Sequence, residues 1–352
     1  MATSPVRTPA RRRTRGWVAL PAAGALAAGL ALAGAAAPVG ADPGPAPTAA
    51  ALAAGGSYVA LGDSYSSGTG TRQYLADGTQ CLRSVHAFPS LLASAGGWDL
   101  DFRACSGAVV ADVRANQLGA LSAATDLVTL SVGGNDAGFT DVITECAQPG
   151  WMSDCDAAID GAQAFIGSTL PARLSGLYAE VDAAAPNADV VVAGYPRLFQ
   201  GEDCDLLTFI SPAEMTRLNA TADQLNARTA AAARAAGFRF VDPTAAFTGH
   251  AVCDEPAWLN GLAYPVVESY HPNTLGHAQG YVPLVSAAAT GSALAVTPEV
   301  VADAEAHAGT YVAQQAPYAA YDRTIAPRVV ETAPLHAAQR AIADGTADPA
   351  AE

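Results

Sequence analysis

A serine and a histidine that can act together in hydrolysis lie far apart in this sequence. Ser64 follows the apolar run Tyr58–Leu61 in a glycine-flanked turn, and His271 immediately precedes Pro272. A serine hydroxyl is a weak nucleophile near neutral pH and needs a base that accepts its proton, a task for which imidazole titrates in the right range. We therefore consider Ser64 as a nucleophile and His271 as its general base. Taken alone, each residue is more often an ordinary turn, surface or core residue.

Attack on a carbonyl also requires donors for the negative charge that develops on its oxygen. The backbone N–H groups of Ser64 and Gly107 and the side-chain amide of Asn135 can form such an oxyanion hole. Loss of one donor of this kind typically costs roughly 2.7–4 kcal/mol of barrier. We interpret the neighbouring acids Asp63 and Asp136 as caps of turns or of backbone N–H groups rather than as reacting groups. Without a partner serine and histidine, the segment Gly133-Gly134-Asn135-Asp136 would be interpreted as a β-turn.

The elements that must position these residues are apolar strand-like runs that alternate with helical patterns. This alternation predicts one α/β domain with a parallel sheet covered on both faces. Ligand sites in such sheets lie at the carboxyl ends of the strands. Because Ser64, Gly107 and Asn135 each follow a predicted strand, we expect them to meet at one edge of the sheet. The predicted strands are Tyr58–Leu61, Asp99–Ala104, Leu127–Val132, Val190–Ala193 and Phe238–Val241.

Two helices have clear sequence signals. Ser211-Pro212-Ala213-Glu214 supplies an N-cap, a proline at the first helical position and a capping-box glutamate, for a helix that runs to Gly237. A second helical pattern covers about Ala158–Ala183. Since binding residues concentrate on loops, we expect the walls of a substrate pocket to come from loops near residues 69–84, 140–156 and 200–209.

The amino-terminal region has the layout of a secretory signal. Five arginines and no acid lie in residues 1–41, and an apolar run from Trp17 to Ala37 leads to the small-residue site Val39-Gly40-Ala41. A retained membrane anchor is the competing interpretation, although the run consists largely of Ala and Gly. We expect residues 1–41 to be a signal peptide and the mature protein to be secreted.

Three further segments are expected after the signal. They are a Pro-rich and Ala-rich linker at residues 42–56, a catalytic domain at residues 57–290, and an Ala-rich acidic extension at residues 291–352 that is helical or partly disordered.

Composition excludes several classes of function. Without residues 1–41 the chain carries 33 acidic and 13 basic side chains, a formal charge of −20, which repels nucleic acid. The sequence has no lysine, so P-loop, Schiff-base and lysine-activated serine chemistry are excluded.

The six cysteines lie beyond the signal, and an even number in an exported chain suggests three disulfides. The residues leave fifteen pairings open. We favour sequential pairing, because each bridge would then pin a loop between neighbouring elements. Free thiols and a metal site are the alternatives, but C-x-x-C spacing is absent and we expect no metal. The cysteines are Cys81, Cys105, Cys146, Cys155, Cys204 and Cys253.

The order and context of four blocks resemble the SGNH, or GDSL, hydrolase family. The blocks are Gly62-Asp63-Ser64, Gly107, Gly134-Asn135-Asp136 and His271, and they span most of residues 57–285. The resemblance is closest to the secreted actinobacterial lipases and esterases. It implies a flavodoxin-like three-layer sandwich with a five-stranded parallel sheet, Ser64 as nucleophile, His271 as base, and Gly107 with Asn135 in the oxyanion hole. It also implies sequential disulfides.

Two positions depart from the family pattern. Tyr65 stands where the nominal motif has leucine. Many members have an aspartate three residues before the histidine, where this chain has Glu268. Either the Glu268 carboxylate or its main-chain carbonyl can hold the imidazole tautomer.

The resemblance implies a secreted carboxylic-ester hydrolase, a lipase or esterase that works through an acyl-enzyme. It implies a lipid or small-molecule ester as substrate, no cofactor, a monomeric protein and transient contact with a lipid interface. A polysaccharide O-acetyl esterase is the alternative with the same chemistry. A non-catalytic secreted binding protein is the alternative of another class, against which the four intact blocks argue.

Overall fold

A five-stranded, all-parallel sheet forms the centre of the fold in a computed structural model that describes residues 55–348. The predicted signal peptide and most of the predicted linker lie outside the described residues. The strand order is β2-β1-β3-β4-β5, so the predicted parallel α/β sheet is confirmed. The strands are β1 (Ser57–Gly62), β2 (Asp99–Phe102), β3 (Leu127–Ser131), β4 (Asp189–Ala193) and β5 (Arg239–Val241).

The two central strands carry the site at their carboxyl ends. β1 and β3 pair in a register that places Tyr58 opposite Leu127 and Gly62 opposite Ser131. Nearly every residue of both strands is buried, as expected for a sheet with helices on both faces. The strand order is that of flavodoxin-like folds, in which the direction of winding reverses between β1 and β3. That reversal opens a crevice at the ends of these strands.

Helices cover both faces of the sheet. α2 and α8 pack against each other and against the strands on one face, and α7 packs against β4, β5 and α6 on the other. Among residues 55–348, no helix combines the length and hydropathy needed to cross a membrane. The α-helices are α1 (Ser64–Ser67), α2 (Phe88–Gly96), α3 (Val110–Asp112), α4 (Phe139–Cys146), α5 (Cys155–Ser168), α6 (Leu170–Ala184), α7 (Pro212–Ala235), α8 (Val282–Thr290), α9 (Pro298–Ala306), α10 (Ala308–Gln315), α11 (Ala319–Asp322) and α12 (Thr332–Ala343).

Short 3₁₀ and π-helical turns complete the chain. They are Val113–Gln117 and Gly276–Tyr281, both π-helical, and Leu118–Ala120 and Val266–Glu268, both 3₁₀.

One helix prediction is confirmed and one is wrong. The Ser211 hydroxyl accepts the N–H of Glu214, and the Glu214 carboxylate accepts the N–H of Ser211, which closes the capping box at the start of α7. The single helix expected over residues 158–183 is instead α5 and α6, which separate at Thr169. Pro171 explains the break, because it has no N–H to continue the α5 ladder but fits the first turn of a new helix.

Three disulfides join the cysteines in sequential pairs. The pairs are Cys81–Cys105, Cys146–Cys155 and Cys204–Cys253. The first bridge ties the loop before α2 to the residues that follow β2. It therefore lies directly beside Gly107.

The last helices pack on the domain. α9 packs against α2, and in α10 the ring of Tyr311 meets that of Phe102 on edge strand β2. The guanidinium of Arg103 lies 3.3 Å from the ring centroid of Tyr318 and donates to Gln315. These contacts continue the core into residues that follow the predicted catalytic domain.

A buried ion pair links α11 to the domain and gives a test of this packing. Arg83, fully buried, donates to Asp322 at 2.7 Å and to Asp77 at 2.8 Å. Removal of one partner leaves a buried charge short of its counter-ion, so Asp322→Ala should reduce the free energy of unfolding by about 3 kcal/mol. Urea denaturation followed by circular dichroism, without reductant, measures this change.

Asp223→Ala is the control, since its pair with Arg197 is exposed and worth at most about 1 kcal/mol. Equal losses in the two variants would contradict a structural role for the α11 contact.

Candidate active site

Ser64 begins α1 at the end of β1. Asp63 caps this four-residue helix, and its Oδ1 accepts the N–H of Tyr65 at 3.0 Å. The chain leaves α1 through Gly68, whose φ of 97° is in the left-handed region that glycine adopts freely. The short helix therefore holds Ser64 at the carboxyl edge of the sheet.

His271 lies within hydrogen-bond distance of Ser64. Its Nε2 is 2.8 Å from the Ser64 Oγ, and its Nδ1 is 2.8 Å from the main-chain oxygen of Ser269. A carbonyl oxygen only accepts, so Nδ1 carries the hydrogen and Nε2 presents its lone pair to the hydroxyl. The Ser64 O–H accordingly donates to Nε2, the arrangement that general-base activation requires.

The structure corrects the expectation for Glu268. Neither its carboxylate nor its carbonyl is hydrogen-bonded to the imidazole. The acceptor at Nδ1 is the carbonyl of Ser269, one residue later, and the Glu268 carbonyl accepts the Nδ2 of Asn260. The Glu268 carboxylate accepts the hydroxyl of Tyr74 at 2.8 Å and lies 3.5 Å from the guanidinium of Arg72. The carboxylate thus stabilises the loop that contains Arg72 and Tyr74 and does not orient His271.

Burial controls the protonation of the histidine. Desolvation lowers the pKa of His271 from 6.5 to about 4, and the hydrogen bond to Ser269 opposes this shift without overcoming it. The imidazole is therefore neutral near pH 7.

His277 is also buried, and desolvation lowers its pKa to about 3. Its Nδ1 accepts the N–H of Phe88, as expected of a histidine with a structural role.

The predicted oxyanion residues lie on two connected loops. The Nδ2 of Asn135 donates to the carbonyl of Ala108 at 3.0 Å, so the loop after β3 is bonded to the residue next to Gly107. The hydroxyl of Thr69 donates to that of Ser106 at 3.0 Å, which joins the Gly107 loop to the end of α1. The structure thus brings together the loops of all three sequence-predicted donors.

Asp63 is the centre of a buried hydrogen-bond network. Its Oδ1 accepts the Ser131 hydroxyl at 2.7 Å and its Oδ2 accepts the Tyr195 hydroxyl at 2.5 Å. Desolvation raises the pKa of Asp63 to about 6, although the bonds from Tyr195, Ser131 and the Tyr65 N–H oppose the rise. Asp136 likewise accepts the N–H of Val110. Both acids have the bonding expected of caps.

Two tyrosines that sequence reasoning did not select hold the site in place. Tyr195 binds Asp63 and also accepts the N–H of Gly134, so it joins the ends of three strands. Its position directly after β4 was a usable signal. Tyr65 donates its hydroxyl to the carbonyl of Tyr270, which ties α1 to the backbone beside His271. A leucine at this position could not make that bond.

An apolar cavity extends from Ser64 and Asn135. Half of its lining residues belong to α4, α5 and α7. Of the three segments expected to form the walls, residues 140–156 contribute Val142 and Ile143, which lie on α4 rather than on a loop, and residues 69–84 and 200–209 contribute none. The apolar lining residues include Phe139, Val142, Ile143, Ala162, Ile166, Leu218, Ala222 and Leu225. The cavity thus offers an apolar surface beside Ser64.

One cluster of potential metal ligands is found among residues 55–348. Cys81, Cys105 and Asp322 bring ligand atoms within 4.8 Å of one another. Both sulfurs belong to a disulfide and cannot act as thiolate ligands, and Asp322 is already paired with Arg83.

Comparisons with known proteins agree with this geometry. Residues 60–279 match the family model described as "GDSL-like Lipase/Acylhydrolase family". "Lipase 1" of Streptomyces coelicolor is 44% identical over 267 residues, which cover 75% of this chain and 95% of that protein.

Two solved structures are also similar. The extracellular lipase of Streptomyces rimosus has 43% identity and a TM-score of 0.63, and phospholipase A1 of Streptomyces albidoflavus has 42% identity and a TM-score of 0.63. Each alignment covers 66% of this chain and 99% of the other. The chain therefore belongs to the GDSL-like lipase and acylhydrolase family and is a serine ester hydrolase.

Proposed function

We propose that Ser64 and His271 carry out the hydrolysis, with Gly107, Asn135 and the Ser64 N–H as oxyanion donors. The observation that carries this proposal is the 2.8 Å contact between the Ser64 Oγ and the Nε2 of His271. Its direction follows from the tautomer that the Ser269 carbonyl imposes. That carbonyl takes the orienting position that a carboxylate occupies in the usual triad.

The reaction proceeds in two steps, acylation of Ser64 and hydrolysis of the acyl-enzyme. As the Ser64 Oγ forms a bond to the ester carbon, its proton moves to Nε2, and the oxyanion donors meet the charge on the carbonyl oxygen. The carbon–alcohol bond then breaks and Nε2 returns the proton to the leaving alcohol. In the second step, water attacks the acyl carbon of the acyl-enzyme and its proton moves to Nε2. The bond from the carbon to the Ser64 Oγ then breaks, Nε2 returns the proton to Oγ, and the acid leaves.

We propose fatty-acyl esters of lipids as the substrates. The apolar cavity beside Ser64 supports this choice, because an acetyl group is too small to contact more than a few of its lining residues. Relatives described as lipases and as a phospholipase A1 support it as well. An O-acetyl esterase acting on polysaccharide remains the alternative with the same chemistry.

Export and contact with lipid are parts of the same proposal. Three disulfides, the signal-like residues 1–41 and the relative described as an extracellular lipase support secretion. Leu206, on the loop before α7, is 91% exposed, and transfer of its apolar side chain from water into a lipid surface would be favourable. A monomer that meets the interface transiently is our proposal for its state in solution.

Replacement of the nucleophile is the first test. Ser64→Ala removes the attacking oxygen, so kcat on p-nitrophenyl butyrate should fall by about 10⁴-fold or more, and a fluorophosphonate probe should no longer label the protein. Ser168→Ala, an exposed serine of α5, is the control and should keep wild-type kcat and labelling. A folded Ser64→Ala protein with wild-type turnover would defeat the proposed mechanism.

The pH dependence tests the base. Attack requires neutral imidazole, which is present above the pKa, and burial lowers the pKa of His271 to about 4. We expect kcat/KM to stay level as the pH falls past 6.5 and to drop as it passes about 4. Stopped assays, with tryptophan fluorescence to confirm that the protein is folded at each pH, measure this limb. A midpoint near 6 would contradict this prediction and would indicate that activity depends on ionised Asp63, whose pKa is raised to about 6.

A cavity substitution tests the substrate class. Ala222→Phe fills the acyl cavity from α7, so the ratio of kcat/KM on p-nitrophenyl palmitate to that on the acetate should fall by roughly 10-fold or more. Ala231→Phe, exposed on the same helix, should leave the ratio unchanged. A wild-type preference for an acetylated glycan over all acyl chain lengths would reject the lipid assignment.

A further inference from the structure

The segment of residues 323–331, here named the strap, crosses the candidate oxyanion loop. A Cβ placed on Gly107 would lie 2.1 Å from the carbonyl oxygen of Ala326 and 3.1 Å from the Cα of Pro327. The φ of Gly107 is +84°, so glycine is needed here both for its backbone conformation and for the close approach of the strap. The strap backbone therefore rests directly on the residue proposed to donate its N–H.

The side chain of Ile325 reaches the same loop. Ile325, 6% exposed, forms a small apolar cluster with the disulfide of Cys81 and Cys105 and with Ala108. Ala108 in turn accepts the Nδ2 of Asn135 through its carbonyl. One residue thus connects the strap with both oxyanion positions, since Ala108 adjoins Gly107 in the chain and binds Asn135.

Both ends of the strap are fixed to the domain. At its start, Asp322 pairs with the buried Arg83, and the Nε of Arg323 donates to the carbonyl of Gly78 at 3.1 Å. At its end, the N–H of Glu331 donates to the hydroxyl of Thr144 in α4 at 3.1 Å, and Val330 is buried. Because both ends are fixed, the strap can restrict the movement of the loop that contains Gly107.

The strap lies beyond the region that matches the family model. The match covers residues 60–279, and the strap begins at residue 323. The contact with Gly107 is therefore made by a part of the chain that follows the matched region.

We propose that Ile325 is a positioning residue for ester hydrolysis, acting through Ala108 to hold the N–H of Gly107 and the amide of Asn135 on the oxyanion. This inference rests on the proposed function of Ser64, Gly107 and Asn135. Donors must be in place before charge develops, and a misplacement of about 1 Å can cost about 100-fold in rate. A gap beside Ala108 frees the loop without removing either donor.

The test is Ile325→Ala in the full-length protein. We expect kcat on p-nitrophenyl butyrate to fall roughly 10-fold with KM nearly unchanged, because the lost interaction belongs to the transition state. The inhibition constant of a boronic acid, whose tetrahedral adduct on Ser64 places an oxygen among the donors, should rise by a similar factor. Ile325→Leu, which keeps the packed volume, should restore both values.

Leu294→Ala is the matched control. It removes the same number of carbons from a half-buried residue between α8 and α9, away from the loop, so kcat and the boronic acid constant should stay at wild-type values. Thermal unfolding of each variant separates a loss of stability from a loss of rate. If Ile325→Ala does not fold, Ile325→Val, which loses one methylene, should still lower kcat while Leu294→Val does not.

The outcomes are distinct. Wild-type kcat in Ile325→Ala, an equal loss in Leu294→Ala, or an increase in kcat, as expected of a strap that blocks the cleft, would overturn the inference. If these results come with an inactive Ser64→Ala, the positioning role alone fails. Turnover that survives Ser64→Ala would mean that the proposed function itself is wrong.

Discussion

The hydrogen bond from His271 to the carbonyl of Ser269 is the interaction on which the site depends. It fixes the hydrogen on Nδ1 and so directs the Nε2 lone pair to Ser64. The carbonyl is placed by backbone geometry, since Tyr270 between them has a φ of 59°, uncommon for an aromatic residue. Tyr65 binds the Tyr270 carbonyl and stabilises this conformation. The imidazole of His271 is therefore oriented by the conformation of the main chain.

Asp63 links the short helix that carries Ser64 to the ends of β3 and β4. Its carboxylate caps the helix that carries Ser64 and accepts hydrogen bonds from the hydroxyls of Ser131, at the end of β3, and Tyr195, after β4. Burial of a carboxylate is costly, which its raised pKa reflects, and three donors offset that cost. Because Tyr195 also accepts the N–H of Gly134, one acid sets the spacing between the nucleophile and the Asn135 loop.

The sequence was sufficient for features that depend on topology or local chemistry. Parallel strands end at one edge, so Ser64, Gly107 and Asn135 could be predicted to converge, and Tyr195 could have been found by the same rule. The partner of His271 could not be predicted from residue types, because it depends on the torsion of Tyr270 and any residue has a carbonyl. The cavity walls were expected to come from loops, but half of the lining residues lie on α4, α5 and α7, and the rotation of these helices about their axes follows from packing.

A carbonyl in place of a carboxylate changes the behaviour of the base. A charged partner would favour the imidazolium and raise the histidine pKa, whereas a neutral dipole leaves desolvation dominant, and the pKa falls to about 4. As the proposed base, His271 is then a weaker proton acceptor, but it stays neutral in mildly acidic surroundings. The buried carboxylate of Glu268, three residues away, is engaged by Tyr74 and Arg72. In the proposed mechanism, stabilisation of the transition state therefore comes mainly from the oxyanion donors, and their placement matters more for the rate than the basicity of His271.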